Sequence, residues 1–188
     1  MGEEISAVCP NMLPSLESSE DEILFKHDCL YRHQILCVNY TTYNIHRKQD
    51  MINPSTPHCD IMVLANREAD GDHPYAYDRV IGIFHNNVIY ASAQRHNYSP
   101  HRMEFLWVWW YELDPLEPMG SLGTKRLNQL QVPPMDTEDA FGFLDPKHAL
   151  RAAHIIPSFK AGKCSPDGSR LSSSAKDEED WQSYFQNR

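Results

Sequence analysis

The sequence predicts a mainly β domain, a small and partly closed barrel with long loops and short helical turns. Three observations lead there. Thirteen prolines in 188 residues interrupt the chain too often for long helices. The hydrophobic runs are rich in β-branched and aromatic residues, which suit a pleated, half-buried surface. Clusters of turn-forming residues separate five or six such runs, the spacing of a barrel or sandwich. Hydrophobic residues make up 41% and aromatics 11%, enough for one packed interior, so wholesale disorder, coiled coil and collagen-like repeats are excluded.

Each element follows from local pattern. Residues 35–43, ILCVNYTTY, read as a strand bounded by the charged HRKQD. NPSTP at 53–57 makes a turn, and DIMVLA at 60–65 is a short buried strand that runs into the acidic loop NREADGDHP. YAYDRVIGIFH at 75–85 is a further strand, with Gly82 as a bulge or a point of close approach, and residues 88–91 continue it. The polar SAQRHNYSPHR reads as a connection. In EFLWVWWY at 104–111, alternation places Phe105, Trp107, Trp109 and Tyr111 on one face and Leu106, Val108 and Trp110 on the other. That pattern fits a central strand covered on both sides, or one with an exposed aromatic surface. Beyond it come a Pro- and Gly-punctuated loop, a strand-like LNQLQV at 127–132, a helical turn at 145–148 with Asp145 as N-cap and Pro146 first, and a short strand at 153–157.

The formal charge of −9 is concentrated at the ends. Residues 1–29 carry seven acids and one base and read as an acidic flexible arm; residues 164–188 carry five acids and three bases and read as a polar tail with a short aromatic segment. The intervening 30–163, the β domain, has 14 acids and 13 bases, without the basic footprint of a dedicated DNA binder. Five scattered cysteines, Cys9, Cys29, Cys37, Cys59 and Cys164, form no C-x-x-C pair, which argues against a disulfide framework and a cysteine-only zinc site. With no signal-like N-terminus and no apolar run of spanning length, the expected setting is intracellular, and nuclear under a chromatin reading.

The ordered motifs VNYTTYNIHRKQDMINPSTPHCDIMVL, HPYAYDRVIGIFH, RMEFLWVWWYELD, KRLNQL, DAFGFLDPKHALRAAHIIPSF and DWQSYFQNR run from about residue 30 to 188. Together they resemble the C-terminal region of large basidiomycete proteins associated with Plavaka-type (CACTA-like, KDZ-related) DNA transposons. The resemblance brings no activity with it. It does imply two departures: Trp109 stands where the family carries arginine in FLWVRWF, and the family continues past the NR motif, which makes this chain look like a shortened or remnant copy. A looser pattern, Tyr77, Arg79, Val80 and Ile83, then Val108, Trp110 and Tyr111, then residues 149–156, is similar to the plan of bromo-adjacent homology domains. Those are chromatin interaction modules on a β-barrel core, some with an aromatic pocket for methylated lysine.

Against that background Tyr75, Tyr77, Trp107, Trp109, Trp110 and Tyr111 are either core rings or the walls of an aromatic cage for a methylated ammonium, with Asp114 placed to orient the cation. An arginine in the family at the position of Trp109 implies that this ring is exposed. Arg95, Arg102, Lys125, Arg126 and Arg151 are candidates for a patch facing an anionic partner. His58, Asp60, Asp72 and His73 are the weak candidates for a metal, because a hairpin can bring the two groups together but neighbouring strand residues face opposite ways. No G-x-S-x-G elbow and no P-loop spacing is present, and GSLGTKR at 120–126 only superficially resembles the latter. The expectation is therefore a non-catalytic, cofactor-free module binding protein or chromatin, with nucleic-acid binding in support of transposition as the alternative and a metal-dependent hydrolase or nuclease third. Oligomeric state is not encoded in any of these features.

Overall fold

The computed structural model describes residues 4–5, 22–65, 73–92, 95–113, 128–169 and 171–187, with backbone alone at 4–5, 22, 91–92, 95–98 and 187. The architecture is mainly β, a nearly closed barrel-shaped sheet with short 3-10 turns at Lys26–Asp28, Pro146–His148 and Asp177–Glu179. In chain order the strands are β1 (Glu4–Ile5), β2 (Glu22–Phe25), β3 (Leu30–His33), β4 (Leu36–Thr41), β5 (Arg47–Ile52), β6 (Asp60–Leu64), β7 (Tyr75–Ser92), β8 (Arg95–Leu113), β9 (Gln129–Gln131), β10 (Phe141–Leu144), β11 (Arg151–Ala152), β12 (His154–Pro157) and β13 (Tyr184–Asn187). No helix among the described residues is long and apolar enough to cross a membrane.

The antiparallel hairpin of β7 and β8 is the spine. Along its outer edge β7 pairs successively with β6, β3 and β2. Along its own outer edge β8 pairs with β10 and then β9, and the sheet continues from β9 through β13 to β12. β4 and β5 form a separate hairpin. Arg151 and Asp50 fasten that hairpin to the barrel: Arg151 Nε donates to Asp50 Oδ2 at 2.8 Å, the same oxygen accepts the Ala152 amide, and the guanidinium lies 3.6 Å from the Tyr40 ring centroid.

Gly82 is the bulge the sequence suggests. Val80 faces Val108 and Gly82 faces Trp107, so Ile81 is one extra residue on β7. The extra residue changes the alternation and lets Val80 and Ile83, three positions apart, enter the same core with Val38, Ile52, Ile61, Val63, Leu106 and Val108. A second irregularity lies farther out: Val88 faces His101 while Tyr90 faces Asn97, which leaves β8 two residues longer around Pro100. The opposite face of β8 is also covered. Trp109 packs with Ile81, Ala140 and Ala175, and Tyr111 with Tyr77, Leu130 and Tyr184. Of the two readings of the aromatic strand, burial on both faces is the one realised in the barrel.

Three parts of the sequence reading change. Within the polar stretch SAQRHNYSPHR, Ser92 ends β7 and residues 95–102 form the outer part of β8; the side chains of residues 99–102 are exposed, and an arm standing in solvent needs no apolar alternation. Residues 22–25, placed in the acidic arm by charge, pair with β7 at Val88 to Ala91. The polar tail is built into the barrel: Tyr184 is 5% exposed and Asp180 equally buried, while β13 bridges β9 and β12.

Trp110 lies across β10, where a Cβ placed on Gly142 would fall 2.6 Å from its indole nitrogen. Gly142→Ala is therefore expected to cost about 1–3 kcal/mol through forced displacement of the ring. Urea denaturation should show this as a lower midpoint at unchanged slope.

Candidate functional site

The rings nominated as a cage do form one around a cation, and the cation is the protein's own Arg79. Register places Asp60 of β6, Arg79 of β7, Trp109 of β8 and Phe141 of β10 in one row across four strands. The Arg79 guanidinium carbon lies 5.6 Å from the Trp109 ring centroid, 5.7 Å from Tyr111 and 5.9 Å from Tyr184. Nη1 donates to Asp180 Oδ1 at 2.7 Å, and Nη2 donates to the hydroxyls of Tyr111 and Tyr184 at 3.2 and 3.4 Å. Those hydroxyls donate onward, Tyr111 to Asp60 at 2.9 Å and Tyr184 to Asp180 at 2.8 Å. Asp60 Oδ1 is 4.0 Å from Arg79 Nε.

Two carboxylates and one guanidinium share this buried site, and the ionisation equilibria adjust accordingly. Burial raises the Asp60 carboxyl to about 6, against the pull of Arg79 and the Tyr111 hydrogen bond. Burial raises Asp180 as well, opposed first by Arg79. For Arg79 burial acts downward, but Tyr111, Asp180 and Asp60 together hold it well above its ordinary value. Burial and the neighbouring Asp60 push the Cys59 thiol up to about 12, which leaves it protonated and unreactive.

Trp109 is 4% exposed, its indole N–H donates to the Pro133 carbonyl at 3.2 Å, and its ring stacks on Phe141. The exposed tryptophan implied by the family arginine is thus corrected: the ring forms a wall of the Arg79 cage. Tyr77 and Tyr111 are buried, Trp107 and Trp110 half-buried, and Tyr75 lies at the margin of exposure. Asp114 lies outside the described residues.

Of the anionic-partner candidates, the two whose side chains are described are each paired with a carboxylate. Arg102 is bridged to Glu104 at 2.9 Å and Arg151 to Asp50 at 2.8 Å. Lys125, Arg126 and the side chain of Arg95 lie outside the described residues. Of the metal candidates, His58 is exposed while Asp60 is buried at Arg79. His73 contacts the Tyr75 carbonyl at 2.6 Å and Asn128 at 2.8 Å, and Asp72 is outside the described residues. Among the described residues no group of three or more His, Cys, Asp or Glu side chains is arranged to hold a metal ion.

A second locus, which no motif flagged, lies at the outer end of the β7–β8 hairpin. Ile23 of β2 sits directly across from Tyr90, and Phe25 across from Val88. Ile23, Phe25, Tyr90 and Met103 remain exposed, Phe25 to 53% and Tyr90 to 45%. Tyr90 and Met103 line a cleft of about 250 Å³ whose margin is Arg102, Glu104, Asp145 and Lys147. Only the strand partners bring these residues together, so the signal in sequence was limited to scattered apolar residues in polar surroundings. Comparison of the chain with protein-family models, with curated proteins and with solved structures finds no match.

The Arg79 site has a pH signature of defined sign. A carboxyl held near 6 in the folded chain and near 3.9 in the unfolded one binds its proton more tightly when folded. Stability from Asp60 therefore increases as pH falls from above 6 toward 4, by an amount on the order of 2 kcal/mol. Asp60→Asn keeps an acceptor for Tyr111 and should flatten this slope in urea unfolding between pH 4.5 and 8. Arg79→Met leaves the carboxylates uncompensated and should cost about 3–5 kcal/mol at pH 7.5.

Proposed function

We propose that this chain is a non-catalytic interaction module whose partner is a protein, chromatin proteins included. The observation that carries this reading is the patch of Ile23, Phe25, Tyr90 and Met103, exposed on paired strands, whose Tyr90 and Met103 line a cleft with Arg102, Glu104, Asp145 and Lys147. Aromatic and methionine side chains inside a charged margin have the composition of a protein-binding surface. A rigid sheet presents them at little entropic cost. The resemblance to transposon-associated proteins supplies a context in which such a module would attach a larger polypeptide to its partner.

The internal cage is not the reading head in this proposal. Its three rings already surround Arg79, so a methylated ammonium entering there would have to displace a buried ion pair. Nucleic acid is less favoured because Arg102 and Arg151 are engaged by carboxylates, and a phosphate would have to compete for each.

The test pairs a histone-peptide array with labelled duplex DNA over a salt series, using the full chain and a Tyr90→Ser/Met103→Ser variant. A peptide signal that the variant loses at unchanged Tm, without DNA retention at about 150 mM salt, is the expected result. Salt-sensitive DNA binding with a silent array would overturn the proposal.

A further inference from the structure

β8 is paired on both edges over only part of its length. β7 runs beside residues 101–111 on one edge. On the other, β10 covers residues 106–109 and ends at Leu144, opposite Leu106. There Asp145 caps the turn Pro146–His148, its Oδ1 accepting the Lys147 amide at 2.9 Å, and the chain leaves the sheet. Among the described residues no strand replaces β10 beside residues 101–105, and His101, Arg102, Met103 and Glu104 are all exposed.

The ladder fixes which backbone groups are open. The Trp110 amide donates to the Ala140 carbonyl on the β10 side at 3.0 Å. β8 is regular from 101 to 111, so with a period of two the N–H and C=O of Glu104 and Arg102 point to that same side. This row of groups is the template to which another strand adds.

We propose that the open edge of β8 receives an extended segment of the protein partner as an added strand in line with β10, and that this segment alternates apolar with charged side chains. The inference rests on the protein-binding reading above. Alternation follows from the two faces the added strand would meet. On one, Met103 and Phe105 are accompanied by Phe143, which is 64% exposed and meets Phe105 edge to face at 5.5 Å. On the other stands the exposed Arg102–Glu104 bridge, which offers one charge of each sign. The 250 Å³ cleft beside Tyr90 and a second of about 150 Å³ bounded by His33, Leu36, Ile83 and Pro146 meet at this bridge, so an incoming strand has room for side chains along the edge. Main-chain bonds then provide affinity and the two faces provide selection.

The test uses the full chain and the acetylated, amidated heptapeptide EVKVEVK, together with the same peptide N-methylated at its valines or at its charged residues. In a strand all valine amides face one way, so one methylated form withholds its donors from β8. That form should bind about tenfold more weakly or worse, while the other binds as the parent does. Amide exchange at Arg102 and Glu104 should slow on binding. Glu104→Pro removes one outward donor and no bond to β7; it should weaken binding by a similar factor at unchanged far-UV circular dichroism. Equal binding by all three peptides with unprotected amides would overturn strand addition and leave the interaction surface standing. So would no peptide binding at millimolar concentration alongside a Tyr90-dependent array signal. Silence of both would overturn the surface reading as well. A dimer that dissociates in Glu104→Pro would assign the edge to a second copy and overturn the proposal.

Discussion

The barrel depends on one buried guanidinium. Arg79 lies between three aromatic rings and two carboxylates contributed by β6, the β7–β8 hairpin and the C-terminal segment. An arginine loses far more by leaving water than any single ring returns. It is retained because every direction around it is answered: Asp180 by direct contact, the tyrosine hydroxyls as acceptors that pass their own protons to Asp180 and Asp60. Taking any one away leaves the others in a site built for a cation. Four stretches distant in sequence are thereby tied together, and the last strand is held against a barrel it would otherwise only border.

That arrangement also explains the surplus of negative charge. Two carboxylates for one arginine cannot both remain ionised without cost when buried: burial raises both, and Asp60, which reaches Arg79 mainly through Tyr111, rises to about 6. Asp180, in direct contact, is the counter-ion proper. The division of labour comes from geometry: 2.7 Å against 4.0 Å.

How much of this was legible depended on whether the determining contact was local. The Asp145 cap, the Gly82 bulge and the two-sided apolar run of β8 are local, and the sequence shows each of them. β5, RKQDMI, was hidden because only Ile52 is buried; Asp50 is half-buried on Arg151 and Ala152, and the other four residues meet water. The C-terminal segment was hidden by its own composition: Ser and Asp suggested a solvated tail, while Asp177 collects the Leu171 and Ser172 amides and Tyr184 fills the core. The cage could be listed residue by residue, but not its occupant. Arg79 comes to rest beside Trp109 only through cross-strand register, and register is not written in any short motif.

The two loci at either end of β8 are consequences of one alternation. Toward Tyr111 both faces are covered and both edges paired, so the strand's side chains become structure and its aromatic rings turn inward on Arg79. Toward His101 β10 ends, and among the described residues no strand continues it on that edge, while β7 remains paired on the other. Charged side chains at Arg102 and Glu104 are what a sheet uses to keep such an edge from pairing with its like, since two copies brought together would have to fit both bridges at once. The Met103–Phe105–Phe143 side offers no such resistance. An edge guarded on one face and open on the other discriminates by pattern: it rejects a uniformly apolar strand and admits one whose charges fall where its own do.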